Sequence, residues 1–349
     1  MSVRNLRGVL LPIVTPFDDK GDVHASAMRA NINRWNTTGI VGYTVLGSTG
    51  ERVHLDEREY CRVTESARAA VPRELAFIVG AGQQSTRGTI NEVKAAADAG
   101  AEAVLVITPH FYRSAITQDA LIAHYIAVAD SSPVPLILYN MPALTGVNIE
   151  PETVARLREH HNIIGVKDSS ADVEGLKRTV DLVRESSLNG SSSNAPATGS
   201  SPALSIRDGA AAGSSRRDDF VVLTGNGTVL YDALRAGADG AILAVGCVVP
   251  ELCSEIFRAV KAGENERAAT LQGKLTPLAQ AVTTRFGIGG LKAALDMIGY
   301  VGGAVRAPLP SPNEGARREI ARLLEEARSA TAGHSMEAVQ ARALPPGRI

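Results

Sequence analysis

The sequence predicts an α/β fold, a (β/α)8 (TIM) barrel followed by additional C-terminal helices. Three observations carry that expectation. Eight short, apolar, β-branched runs recur along the chain, and stretches with helical periodicity separate them. The first run leads into Pro16-Phe17-Asp18, where an open dinucleotide-binding sheet would carry G-x-G-x-x-G. Strand alternating with helix at intervals of about 30 residues makes right-handed βαβ units and a parallel sheet, and eight units suffice for closure.

The first run, Gly8 to Thr15, follows Arg4 and Arg7 and faintly imitates a signal peptide. It is short, contains Pro12 and ends in Thr15-Pro16-Phe17-Asp18-Asp19 with no small-residue cleavage site, so it reads as strand one. The remaining runs are 40–47, 75–81, 101–108, 134–140, 163–167, 219–225 and 239–246, with helical stretches such as 27–37, 57–70 and 89–97 between them. The sixth and seventh runs stand farthest apart. Residues 186–217 in that gap are rich in Ser, Ala, Gly and Asn and bury too little apolar surface to offset their ordering entropy. They follow a helix at 171–184, so they hang from the face of the barrel opposite the chemistry. A docking loop and a tolerated, disordered insertion are both open readings. The chain therefore divides into a barrel at 1–249 containing the 186–217 insertion, a helical region at 250–330, and a disordered tail at 331–349. Within the helical region, 250–282, 287–299 and the charged stretch 314–330 read as helices.

Composition removes several function classes. Lys and Arg number 36 against 37 Asp and Glu, so the net charge is -1 and no basic field exists to bind nucleic acid. A hydrophobic content of 44% is ample for a core. No apolar run approaches the roughly 18 residues of a membrane span. Three scattered cysteines (Cys61, Cys247, Cys253) make neither a disulfide framework nor a zinc spacing. A reducing compartment follows, cytoplasmic or else mitochondrial.

Lysine is scarce, with seven in 349 residues: 20, 94, 167, 177, 261, 274 and 292. Six fall in turns or helical stretches, where an exposed charge costs little. Lys167 instead ends the run Ile163-Ile164-Gly165-Val166-Lys167. A lysine at a strand end inside a barrel loses hydration of its ammonium, which favours the free, nucleophilic amine that condenses with a carbonyl. A snorkelling lysine, or one paired with the adjacent Asp168, is the other reading, and both stand at this point. The fifth run ends Leu138-Tyr139-Asn140-Met141-Pro142, so the Tyr139 phenol can reach the same mouth and shuttle protons, or can be a core tyrosine with a satisfied hydroxyl. The second run ends Gly47-Ser48-Thr49-Gly50-Glu51. Two glycines around two hydroxyls ahead of a helix make a concave set of N–H groups suited to a carboxylate, or a plain strand-to-helix turn. Together the three features predict a 2-oxo acid, its carboxylate in the nest and its ketone on the lysine.

These landmarks, Gly47-Ser-Thr-Gly-Glu51, Tyr139-Asn-Met-Pro142 with Thr145-Gly146, and Gly165-Val-Lys-Asp168, resemble those of the dihydrodipicolinate synthase/N-acetylneuraminate lyase family of class I aldolases. The resemblance covers residues 5–185 and 218–310. It implies that Lys167 forms the imine, that Tyr139 transfers protons, and that Ser48 and Thr49 hold the carboxylate. It also implies metal independence, no cofactor beyond the covalent imine, and assembly as a homotetramer or homodimer.

Departures from the family pattern narrow the substrate. In the synthases an arginine that binds the aldehyde substrate's carboxylate follows Tyr-Asn-x-Pro, but Ala143 and Leu144 stand here. An aliphatic chain cannot replace bidentate carboxylate recognition. Family members often carry a relay tyrosine where Phe111 stands; Phe111 carries no proton, so either Tyr112 substitutes or the relay ends at Ser48 and water. Arg285-Phe-Gly-Ile-Gly-Gly-Leu-Lys292, Gly299-Tyr-Val-Gly-Gly303, Arg306-Ala-Pro-Leu309 and Lys167-Asp168-Ser169 are similar to 4-hydroxy-2-oxoglutarate aldolases, where Ser169 would contact the distal end of the substrate. Tyr139 to Gly146 and Leu46 to Leu55 resemble 2-keto-3-deoxy sugar-acid aldolases.

The expectation is a pyruvate-dependent aldolase that cleaves a 4-hydroxy-2-oxo acid to pyruvate and an aldehyde, with Lys167 and Tyr139 catalytic and Ser48, Thr49, Ser169 and Ile242 binding substrate. A 2-keto-3-deoxy sugar-acid aldolase or dehydratase, a 4-hydroxy-tetrahydrodipicolinate synthase and a non-catalytic barrel that binds a 2-oxo acid or a partner are the rivals. Ile242 lines the pocket wall or is an ordinary core residue. His110 and Arg285 are further candidates at the mouth. His160-His161 lack the carboxylate or cysteine company of a metal site.

Overall fold

The computed structural model describes residues 6–189 and 220–342. Each of the eight expected runs forms a strand: β1 (Val9–Pro12), β2 (Gly42–Val45), β3 (Ala76–Ala81), β4 (Ala103–Ile107), β5 (Leu136–Asn140), β6 (Ile163–Asp168), β7 (Val221–Thr224) and β8 (Gly240–Ile242). They pair in parallel in chain order, and β8 closes on β1 through Val9–Ala241 and Leu10–Ile242. The strands are shorter than the apolar runs because apolar character outlasts the ladder. Ile13 and Val14, beyond β1, stay buried among the residues that pack barrel against helices.

Alternation along each strand sorts side chains to two faces. Leu10, Ile78, Leu105, Ile137, Leu223 and Ile242 fill the barrel interior as one cluster. Their neighbours Leu11, Val79, Val104, Leu138, Val222 and Leu243 face the helical shell. That shell begins with α1 (Ala25–Trp35), α2 (Glu57–Ala70), α3 (Thr86–Asp98) and α4 (Gln118–Ser131). Three of these starts are set by side-chain caps: Asp56 with Glu59 as a capping box, Ser85 and Thr117. Two short helices, α5 (Pro142–Thr145) and α6 (Pro151–Leu157), join β5 to β6, each opening on a proline whose missing N–H costs nothing there. The shell closes with α7 (Val173–Asn189) and α8 (Leu230–Arg235).

Beyond the barrel, the stretch expected as one helix at 250–282 is two, α9 (Pro250–Lys261) and α10 (Asn265–Gln280), separated at Gly263, which is left-handed (φ 78°). A single π-helical turn, Ala281–Arg285, leads into α11 (Gly287–Met297). The last helix, α12 (Glu314–Arg342), runs past residue 330, where the charged helix was expected to end. The expected insertion, beyond Asn189, and the expected tail, beyond Arg342, lie outside the described residues. The segment between α11 and α12 packs back on the first βα loop. Tyr300 stacks on Trp35 at 4.9 Å, and Ala304 bridges the backbone of Phe17. No helix among the described residues is long and apolar enough to cross a membrane.

Candidate active site

Strand parity brings the two candidate catalytic side chains together. Tyr139 on β5 and Lys167 on β6 are register partners, so both side chains point inward at one level of the barrel. Each is 4% exposed, and Lys167 Nζ lies 4.3 Å from the centre of the Tyr139 ring. Asp168, next along the strand, faces the other way. Its carboxylate accepts from Asn140 Nδ2 at 2.7 Å and from the Ser170 N–H at 2.8 Å. The pairing of Lys167 with Asp168 weighed from the sequence therefore does not form, because consecutive strand residues project to opposite faces.

The Tyr139 hydroxyl continues to Ser48, with Ser48 Oγ 3.3 Å away. Ser48–Gly50 is a single 3-10 turn directly after β2, and the N–H groups of its first residues have no partner within the turn. Thr49 is buried (7% exposed) and the Gly50 carbonyl is fixed by Thr15 Oγ1 at 2.7 Å. The backbone on either side is unusual: Leu46 (φ 58°) and Glu51 (φ 53°) are both left-handed without being glycine. Such residues cost about 1–3 kcal/mol each and persist only where their surroundings over-determine them.

Ser169 is buried (6% exposed), and its Oγ has no hydrogen-bond partner. A buried hydroxyl with no hydrogen-bond partner among the described residues can take a polar ligand atom as its partner. Gly225, at the end of β7, makes the room: a Cβ there would fall 1.9 Å from Ser169 Oγ and 2.6 Å from Lys167 Cε. Gly225 was missed in the sequence, although the seventh run visibly ends on it. Ile242 is fully buried in the interior cluster that also contains Tyr139.

Several expected features are displaced. Lys292, grouped by sequence with the exposed helical lysines, is 1% exposed. Its Nζ lies 2.6 Å from Glu51 Oε1, and burial holds its pKa below the usual lysine range against the opposing pull of that carboxylate. The other five lysines outside the barrel interior are exposed, as expected. Arg285 does not face the mouth; it pairs with Glu319 on α12, with its side chain 61% exposed. His110 is held by Gln84, whose Oε1 also accepts the His110 and Phe111 N–H groups. Tyr112 is turned out to solvent, 71% exposed, edge-on to Phe111, and makes no contact with Tyr139 in this chain. Leu144, at the position of the missing arginine, is also largely exposed. His160 stacks on His161 and pairs with Asp130. No group of three or more metal-ligating side chains occurs among the described residues.

A buried amine without a carboxylate, a phenol over it, a hydroxyl relay to an N–H-rich turn and an orphaned serine hydroxyl can together hold and activate a small 2-oxo acid. The family model of the dihydrodipicolinate synthetase family matches residues 5–195 and 210–327. Its one internal break falls within the stretch read as an insertion. A 4-hydroxy-tetrahydrodipicolinate synthase of Methanopyrus kandleri is 31% identical over 323 residues, covering 92% of this chain and 96% of that protein. Among solved structures, the dihydrodipicolinate synthase of Thermotoga maritima superposes with a TM-score of 0.79 at 29% identity, over 93% of this chain and 98% of that one. A prophage protein of the dihydrodipicolinic acid synthase family from E. coli K12, solved in complex with pyruvate, gives a TM-score of 0.78 at 27% identity, over 93% and 99% of the two chains.

Proposed function

The chain belongs to the dihydrodipicolinate synthetase family, and on that premise we propose that it is a pyruvate-dependent class I aldolase reversibly cleaving a 4-hydroxy-2-oxo acid to pyruvate and an aldehyde. The observation that carries this reading is Lys167: inside the barrel, 4% exposed, against the Tyr139 ring and with no carboxylate among the described residues paired with its amine. In the reaction the Lys167 amine adds to the C2 ketone, and loss of water leaves a protonated imine. The 4-hydroxyl gives up its proton, the C3–C4 electron pair moves toward the imine nitrogen, and the aldehyde departs. The enamine left on Lys167 takes a proton at C3, and water returns the free amine and pyruvate. In this reading Tyr139 carries the protons and the Ser48–Gly50 turn seats the carboxylate, which the Tyr139–Ser48 hydroxyl contact supports. The unpartnered Ser169 Oγ supports a polar group farther along the substrate. The exposed apolar residues around the mouth, Val53, Phe111, Tyr112 and Leu144, support assembly with further copies, as a homodimer or homotetramer.

Condensation of pyruvate with a carboxylated aldehyde, as in a 4-hydroxy-tetrahydrodipicolinate synthase, is the second reading. The names of the relatives favour it, and Leu144 in place of a guanidinium opposes it. The test is incubation with pyruvate and borohydride, followed by a screen of glyoxylate, glyceraldehyde, glycolaldehyde and aspartate semialdehyde as co-substrates. A pyruvyl mass gain on Lys167 and turnover of a non-semialdehyde are expected. No adduct on Lys167 in folded protein would overturn the mechanism, and turnover of the semialdehyde alone would leave the synthase. A single dehydrated 2-oxo acid formed from a sugar acid would instead identify a dehydratase.

A further inference from the structure

The Ser48–Gly50 turn is anchored on both sides, by different means. Before it, Leu46 is held by close backbone approach: a Cβ on Gly80 would lie 2.1 Å from the Leu46 carbonyl oxygen. After it, Glu51 is held by charge. Its side chain is 1% exposed; Oε1 meets Lys292 Nζ at 2.6 Å, and Oε2 accepts the Arg306 N–H at 3.0 Å. His54 Nδ1 stands 3.2 Å from the same oxygen. Lys292 also donates to the Ala304 carbonyl at 2.6 Å and sits 4.5 Å from the centre of the Phe17 ring. The Arg306 guanidinium takes both oxygens of Glu59, at 2.6 and 2.7 Å. The turn belongs to the barrel, but Lys292, Ala304 and Arg306 all belong to the region after it.

We propose that the buried Glu51–Lys292 pair is a positioning device for substrate carboxylate binding. It ties the Ser48–Gly50 turn to α11, so that the turn's hydroxyls and N–H groups are set before a 2-oxo acid arrives. The proposal rests on the functional reading above, which makes that turn the carboxylate's seat. Neither Glu51 nor Lys292 touches substrate; both act through the backbone of residues 48–50. A buried ion pair is an expensive way to fill space, since apolar residues of similar volume fill it at no loss. What the pair adds is direction: a left-handed glutamate held by charge on one oxygen and by an N–H on the other has one available orientation. Preorganisation of this kind appears in binding, because an unanchored turn must be ordered by the ligand itself.

The experiment measures Lys167 labelling by borohydride across a pyruvate titration, for wild type, Glu51→Gln, and the double variant Glu51→Gln/Lys292→Met. The double variant removes both charges together and so avoids an uncompensated buried ion, which keeps the test open if the single variant does not fold. Folding is checked by circular dichroism and thermal melting. The expected result is a tenfold or greater rise in the pyruvate concentration for half-maximal labelling, with the labelling rate at saturation within threefold of wild type. A role confined to packing lowers the melting temperature and leaves half-saturation in place. Half-saturation within twofold of wild type in a folded variant overturns the proposal while leaving the aldolase reading intact. Absence of labelling in wild type overturns the aldolase reading and this proposal with it.

Discussion

Replacing Gly225 with alanine adds one methyl group at the point where β7 passes Lys167. Gly225 does not need glycine for its backbone, because it is absent from the left-handed residues of the chain. The effect is therefore steric. The added Cβ would stand 1.9 Å from Ser169 Oγ, 2.6 Å from Lys167 Cε and 3.0 Å from Ser169 Cβ, against an ordinary contact of roughly 3.5–4.0 Å. Something must move by more than 1 Å, as a rough measure; the atoms struck are side-chain tips that can rotate, but both are buried, so the shift displaces the two side chains from their present positions. Ser169 is buried, with its N–H bonded to the Asn140 carbonyl at 2.9 Å, and Lys167 is anchored through β6. Overpacking of this size costs about 1–3 kcal/mol of stability. A reactive group displaced by about 1 Å loses on the order of 100-fold in rate. The assay is the initial rate of borohydride-trapped pyruvyl adduct on Lys167 at saturating pyruvate, with a thermal melt on the same sample. A folded Gly225→Ala enzyme should label at least tenfold more slowly. Labelling at the wild-type rate with an unchanged melt would refute the placement of Ser169 and Lys167 against β7.

Tyr139→Phe keeps the ring over Lys167 and removes the hydroxyl that reaches Ser48; turnover should fall roughly 100- to 10,000-fold with the melting temperature little changed, read by steady-state kinetics beside calorimetry. His124, buried on α4, donates or accepts only at Nδ1, toward Thr86, and burial pushes its pKa down to about 4. The unfolded chain binds a proton near pH 6.5 that the folded chain refuses, so stability is fully present above pH 6.5 and is lost as pH falls toward 4, by about 3 kcal/mol at most. Urea unfolding at pH 7 and pH 5 should show about 2 kcal/mol of that loss in wild type and not in His124→Gln. Lys292→Met alone leaves Glu51 buried without its ammonium partner on Oε1 and should cost about 3–5 kcal/mol, most of it recovered when Glu51→Gln is added; equal stabilities of single and double variants would refute the pair. Leu144→Arg, at an exposed position, should change stability by no more than ~0.5 kcal/mol while raising kcat/KM for carboxylated aldehydes about tenfold.

The barrel was legible because β-branched runs and their alternation are local properties of the chain. Eight of them, spaced for crossover helices, leave few ways to close. Tyr139 and Lys167 were legible for the same reason: position along a strand fixes which face a side chain takes, and the same rule turns Asp168 away from the lysine beside it. What the sequence did not disclose depends on contacts made across the fold. Gly225 matters through what a methyl group would strike, and nothing in its neighbours reports the position of Ser169. Arg285 sits on a π-helical turn, whose exit direction depends on how α11 and α12 pack; it pairs with Glu319 instead of facing the mouth.

The two buried lysines show where that boundary lies. Lysine is scarce in this chain, and a strand-end position sets Lys167 apart from the rest. Lys292 carries the same side chain and is more deeply buried, yet helical periodicity counted it among exposed charges. Periodicity reports one apolar face of a helix, but α11 is covered on more than one side, by the barrel end and by α12, so a residue off its apolar stripe is buried as well. The partner then decides the chemistry. Lys292 meets Glu51 and the Ala304 carbonyl, and with those acceptors its lone pair is unavailable to a carbonyl carbon. Lys167 meets an aromatic face and, among the described residues, no carboxylate. One fold thus buries two amines in opposite settings: one against an aromatic ring inside the barrel, the other against a carboxylate beside the Ser48–Gly50 turn.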